Sequence, residues 1–394
     1  MTLLFLKRSL AWPRATGHDV HAYHLMRACA AEGASVHLAT THPPAAEAVR
    51  GLGLGSCTTL EAVPAGSPPA LSRLQERFRR YYGVPQAELA AVARLAEDRR
   101  AEAVVAVGLD ALPWLGAVQG ATRVWYAADE WVWHHATQFR PLRPATYPEL
   151  RLAAVKGVYE RVFRRVVDRV WVVSESEARA MRWLAGMPVA DILPNGVDGD
   201  FFQPLDVPEE PESAVFWGRL DFGPNVQALQ WFFARVWPLL RARHPSATIT
   251  IIGFAPGAVV EGMASLPGVR IERDVPDLRE TACRRQVVVL PFVSGGGIKN
   301  KLLEAAAMAR PVVCTARATG GLLGREQLPF ALADEPAPFA EAVSRFWQDE
   351  ARRAAAGRAG RDWVVAHHTW TATARTALAH LRGGGAAHRN GSHG

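Results

Sequence analysis

Residues 286–315 read QVVVLPFVSGGGIKNKLLEAAAMARPVVCT: an apolar run, three glycines, two lysines, one glutamate on an apolar helical segment, then a second apolar run. Short runs rich in Val and Ile that alternate with helical stretches mark parallel strands buried on both faces. The same grammar extends outward in TLLFLK (2–7), SVHLAT (35–40), AVVAVG (103–108), RVWYAA (123–128), RVWVVS (169–174), SAVFWG (213–218) and TITIIG (248–253). This predicts an α/β chain of two Rossmann-like, doubly wound domains whose strand C-termini face a shared crevice. The stretch LPNGVDGDFFQPLDVPEEPES (193–213) is dense in turn formers and sets the boundary near residue 205. The expected domains are 1–204 and 205–364, followed by a helix over 365–382. The Gly-rich tail, 383–394, has too little apolar content to pack and is expected to be disordered.

The 394 residues carry a net charge of +7, so anionic partners are favoured. Basic residues cluster in RLQERFRRYYG (73–83) and YERVFRRVVDR (159–169), both with helical apolar spacing. Such helices serve as solvated faces or make peripheral contact with the inner face of a membrane. Four cysteines without a CxxC pair suggest neither a disulfide framework nor a zinc site, which fits the cytoplasm. The N-terminal apolar run reads as a first strand and not as a signal peptide, and no run reaches the length of a membrane-crossing helix.

Gly295, Gly296 and Gly297 let backbone amides approach a ligand, and a helix beginning near Lys299 adds Lys299 and Lys301 where the helix dipole is already positive. An anion compensates that charge, and phosphate is the economical choice. Glu304, one turn after Lys301, can accept hydrogen bonds from the vicinal hydroxyls of a ribose, so the pair describes a nucleotide. The plain alternative is a surface Lys–Glu pair on a helix. No P-loop is present, GLGLGSC (51–57) lacks the strand, helix and acidic residue of a dinucleotide fingerprint, and HExxH is absent.

In the first half, RVWYAADEWVWHH ends a strand in Asp129 and Glu130, with His134 and His135 nearby. Polar residues there point into the crevice, and Asp129 is the candidate for an acceptor or sugar contact. Gly17 opens a helix after the first strand. His21 and His24 read as satisfied helix histidines, and WFFARVW (231–237) as packing. Asn195-Gly196 forms a turn near the hinge.

LPNGVDGDFF, the stretch from AVFWGRLDFG to TITIIG, VPDLRE and PFVSGGGIKNKLLEAAAMARPVVCT together resemble family 4 glycosyltransferases of the GT-B fold, most closely sugar transferases of exopolysaccharide systems. The resemblance is specific over 190–320 and looser before it. It implies a retaining enzyme that moves a sugar from a nucleoside-diphosphate sugar to a carbohydrate or glycolipid hydroxyl. The donor is a substrate; no cofactor, metal or nucleic acid is implied. It also implies that Glu304 holds the ribose, that Arg219 and Lys301 meet the diphosphate with Lys299 beside them, and that Val275 to Leu278 lie along the base. Gly17 would let a phosphate approach, and the last helix would cross back to the first domain.

The sequence departs from that pattern in three places. Gly296 stands where the family has a first glutamate, the lysine that follows the arginine falls near Pro224 and Asn225, and Arg310 replaces a helix-ending glycine. A nucleotide-sugar-binding partner without activity and an epimerase on the same fold are the other readings.

Overall fold

Every apolar run named above forms a strand in the computed structural model, which describes the chain except for residues 13–16, 65–69, 128–131, 133, 134, 136–138, 140–143, 188, 189, 255, 296 and 390–394. The chain divides into two compact units, Met1–Pro194 with Trp370–Gly394, and Asn195–Thr369. The division falls at Asn195, ahead of residue 205, because Val197 bridges to Thr369 and the turn residues thereby join the second unit. Asp198 accepts from the amides of Asp200 and Phe201 at 3.3 and 3.1 Å, which closes that turn.

Among the described residues the first unit has a parallel sheet of β1 (Thr2–Leu6), β2 (Ser35–Thr40), β3 (Ser56–Thr59), β4 (Ala103–Val107), β5 (Thr122–Tyr126), β6 (Arg169–Val172) and β7 (Ala190–Ile192), in the order β3-β2-β1-β4-β5-β6-β7. Alternate residues enter different cores: Leu4 and Leu6 one, Leu3 and Phe5 the other. Both faces of the sheet are therefore covered, as the unbroken apolar runs require. Helix Trp370–Arg389 places Trp370, Ala374, Ala377, Leu378 and Leu381 in the second of these cores, at helical spacing. The helix runs past Gly383, where the tail was expected to begin, because one further backbone bond per residue extends a helix once it is nucleated.

The second unit has a sheet of β8 (Glu210–Arg219), β9 (Thr248–Phe254), β10 (Val269–Arg273), β11 (Arg285–Leu290), β12 (Val312–Cys314) and β13 (Ala331–Leu332), ordered β10-β9-β8-β11-β12-β13. The order reverses between β8 and β11. That is the topological switch point of an open parallel sheet, where ligands bind beyond the strand C-termini. β8 ends in Arg219, and the loop leaving β11 carries the glycine–lysine stretch.

The stretch 159–169 is α-helical to Phe163 and continues as one 3-10 turn over Arg164–Val166; Arg169 opens β6 and pairs with Asp191 at 2.9 Å. All four cysteines are free. No helix among the described residues is long and apolar enough to cross a membrane.

Candidate functional site

Helix Asn300–Ala307 begins one residue later than expected: Lys299 is its N-cap, with extended φ/ψ of −92° and 99°. Gly295 and Gly297 have φ of +88° and +68°, a conformation that glycine adopts without strain, so the loop needs them there. Gly296 lies outside the described residues.

Lys301 and Glu304 do not form the surface pair of the plain alternative. Each reaches a different partner: Lys301 meets Asn225 on helix Gly223–Trp231, and Glu304 meets Trp217 near the end of β8. The Lys301 ammonium donates to Asn225 Oδ1 at 2.7 Å, and Asn225 Nδ2 donates to the Arg219 carbonyl at 2.7 Å. The same ammonium lies 4.7 Å from the Phe216 ring centre and 5.0 Å from that of Phe292, within cation–π range. Glu304 Oε2 accepts the indole N–H of Trp217 at 2.7 Å.

Burial pulls the Lys301 ammonium down to about 7; the Glu304 charge opposes this and Lys299 adds to it. Burial likewise raises the Glu304 carboxyl above its ordinary range, against the Trp217 hydrogen bond and the Lys301 charge. Neither group has enough counter-charge for its degree of burial; for the Lys301 ammonium an anion beside it would supply that charge.

Gly218, with φ of +144°, is the floor beneath this cation: a Cβ there would stand 2.7 Å from Lys301 Nζ and 3.0 Å from Asn225 Nδ2. Where the resembled family carries a lysine, this chain has the buried Asn225, which fixes Lys301 by hydrogen bonding and adds no charge.

Arg219 ends β8, but its guanidinium forks onto Asp221, with Nε to Oδ1 at 2.6 Å and the second nitrogen to Oδ2 at 2.9 Å. Lys299 donates to the Gly297 carbonyl at 3.2 Å. Val275 and Leu278 lie after β10, half-buried against the same core. Gly17 is the first residue of helix Gly17–Ala31, after β1 in the other unit. Asp129, Glu130 and His134 lie outside the described residues. His21 and His24 are buried; His21 Nδ1 is 3.0 Å from the Tyr126 hydroxyl and His24 stacks on Trp370.

The sequence reading missed Trp217, Gly218 and Asn225. A Trp-Gly-Arg sequence ending a buried strand was the available signal. It also missed the anchoring of the site helix: Asn195 Nδ2 donates to Asn300 Oδ1 at 2.6 Å, and the carbonyl of Asn195 accepts from His368 Nδ1 at 2.9 Å. His368 is fully buried, and its Nε2 accepts the Leu323 amide at 3.0 Å, which fixes the tautomer.

Residues 211–349 match the family model described as Glycosyl transferases group 1, so the second unit carries a domain of that family. The chain is similar in structure to sucrose-phosphate synthase from Thermosynechococcus elongatus, 18% identical over 98% of this chain and 99% of that one, with a TM-score of 0.70. It is also similar to HepE of Anabaena in complex with UDP-glucose, 13% identical over 97% and 100% of the two chains, TM-score 0.67. A third likeness is to WaaG, a glycosyltransferase involved in lipopolysaccharide biosynthesis, 16% identical over 95% and 98%, TM-score 0.62. The shared fold is GT-B. Compared by sequence with curated proteins, the chain has no match.

Proposed function

We propose that the protein is a retaining glycosyltransferase that moves a sugar from a nucleoside-diphosphate sugar to a hydroxyl of a carbohydrate or glycolipid, without a required metal. The observation that carries this reading is the divergence of Lys301 and Glu304. Each is held by its own partner, Asn225 or Trp217, at the switch point of a Glycosyl transferases group 1 domain. The UDP-glucose bound to HepE and the lipopolysaccharide pathway of WaaG support the donor class and the acceptor class.

In the reaction, the anomeric carbon–oxygen bond to the diphosphate breaks and a bond to the acceptor oxygen forms on the same face. The acceptor's proton passes to the leaving phosphate, so the atoms balance without a separate base. Negative charge grows on the leaving oxygen, and fixed cations and amides aimed there lower the barrier. Lys301, Lys299 and the amides of the glycine loop supply them, and Arg219 joins by turning away from Asp221. Glu304 uses its second carboxylate oxygen for the ribose diol.

A thermal-shift panel of UDP, GDP, CDP, ADP and NAD on the wild type and Glu304→Ala tests the site. A nucleotide at 100 times its Kd adds about 2.7 kcal/mol of stability. One diphosphate is expected to stabilise the wild type and not the variant. No shift with any nucleotide would overturn the reading. Supplying the matching sugar nucleotide without acceptor separates a transferase, which hydrolyses it slowly, from an epimerase, which isomerises it, and from a silent binding partner.

A further inference from the structure

The two basic stretches singled out in the sequence, 73–83 and 159–169, meet in the first unit. Helix Arg73–Tyr81, helix Tyr147–Phe163 and the turn Arg164–Val166 border one open cavity of about 620 Å³, whose lining includes Leu74, Val158, Arg161, Arg164 and Arg165. The carboxylates of these helices are engaged or turned inward. Glu76 pairs with Arg79 at 2.6 Å and Arg80 at 2.9 Å, Glu149 with His135 at 2.6 Å, and Glu160 is fully buried.

Several cations of these stretches have no carboxylate partner. Among the described residues Arg73, Arg77, Arg164 and Arg165 make no ion pair or side-chain hydrogen bond, and Arg161 donates to the Leu184 carbonyl at 2.9 Å while staying exposed. Apolar side chains stand in water beside them: Leu74 is 45% exposed, Val158 49% and Tyr81 64%. Along the second helix Tyr147, Arg151, Ala154, Val158, Arg161 and then Arg165 follow one another at three- and four-residue spacing, all exposed. A face that mixes basic and apolar residues and excludes acidic ones is suited to the boundary between water and lipid headgroups.

We propose that this two-helix face docks on an anionic phospholipid surface, with Arg161, Arg164 and Arg165 meeting headgroup phosphates and Leu74 and Val158 entering the acyl boundary. Nucleic acid is the less suited partner, because it would leave Leu74, Val158 and Tyr81 wet.

The test is co-sedimentation of the full chain with vesicles of phosphatidylcholine alone and of phosphatidylcholine with phosphatidylglycerol. Binding is expected only to the anionic vesicles and is expected to weaken as salt is raised. The double variant Arg164→Gln/Arg165→Gln removes two exposed charges and is expected to lose about 25-fold in partitioning, from roughly fivefold for each basic residue at such a surface. Its thermal melt should match the wild type. Arg235→Gln/Arg358→Gln, which removes two exposed arginines from the second unit, is expected to bind as the wild type does.

Four results in the vesicle assay would overturn the proposal, as would a fifth from a comparison with duplex DNA. The four are equal binding to both vesicles, wild-type partitioning in the first variant, an equal loss in the control, and release by inorganic phosphate but not by chloride of the same ionic strength. The last would make the cavity a soluble-anion site, and tighter binding to duplex DNA than to vesicles would make the face a nucleic-acid surface.

Discussion

The indole N–H of Trp217 donates to Glu304 Oε2 at 2.7 Å, so a strand residue decides how a helix carboxylate is presented. A hydrogen bond to a charged group is worth about 1.5–3 kcal/mol. Trp217→Phe keeps most of the ring and removes the donor. Nucleotide binding is expected to weaken about tenfold or more with the melting temperature little changed; unaltered affinity by calorimetry would mean that Glu304 is positioned by packing alone.

Lys301, held at about 7 by burial, gives the site a pH signature. The unfolded chain keeps this ammonium charged to about pH 10.4. Between pH 7 and that value the unfolded state binds more protons, so this residue's contribution to stability rises with pH. A bound diphosphate acts in the opposite sense, because its charge favours the ammonium. Above pH 7, binding is therefore expected to take up a proton and to weaken as pH rises, as calorimetry in buffers of different ionisation enthalpy can show. Lys301→Arg, which stays charged, is expected to take up none.

Gly218→Ala sets a Cβ against Lys301 Nζ and puts a side chain at φ +144°. The expected result is a loss of about 1–3 kcal/mol in stability together with weakened nucleotide binding, because Lys301 must leave Asn225. Chemical denaturation and the thermal-shift panel measure the two effects separately. Normal nucleotide binding in a folded variant would show that the Lys301–Asn225 contact is dispensable.

Asp221→Asn releases Arg219 from its fork. If Arg219 serves the diphosphate, nucleotide binding is expected to tighten a few fold; unchanged binding in this variant and in Arg219→Gln would remove Arg219 from the site.

His368 is buried neutral, its imidazole pulled below 6.5 chiefly by burial. As pH falls below 6.5 the unfolded state takes the proton first, so stability is lost on acidification. His368→Gln is expected to cost about 1–3 kcal/mol at neutral pH and to flatten that slope, as urea melts at pH 5.5 to 7.5 would show (about two units of range).

The inner strands were legible and the edges were not. β3, β7, β10 and β13 are the four strands that no apolar run announced, and each lies at a sheet margin. A margin strand is covered on fewer sides, so its sequence needs no continuous apolar stretch: SCTT and VRIER lack the apolar run that marks inner strands such as AVVAV and RQVVVL. At the site, Lys301 and Glu304 could be read because their spacing on one helix is local. Trp217 and Asn225 could not, because what makes them partners of that helix is the β8–β11 pairing, which joins residues far apart in the chain. Lys299 was placed inside the helix because its boundary depends on backbone angles that side-chain pattern does not fix.

Helix Trp370–Arg389 completes a core whose other members, such as Leu25 and Met26, precede residue 194. A ribosome must therefore make the whole second unit before the first can close. At about 5–20 residues per second the exposed face waits on the order of ten seconds or more. For that interval the nascent first unit presents an uncovered apolar surface, which makes it the half of the molecule that calls on chaperones during synthesis.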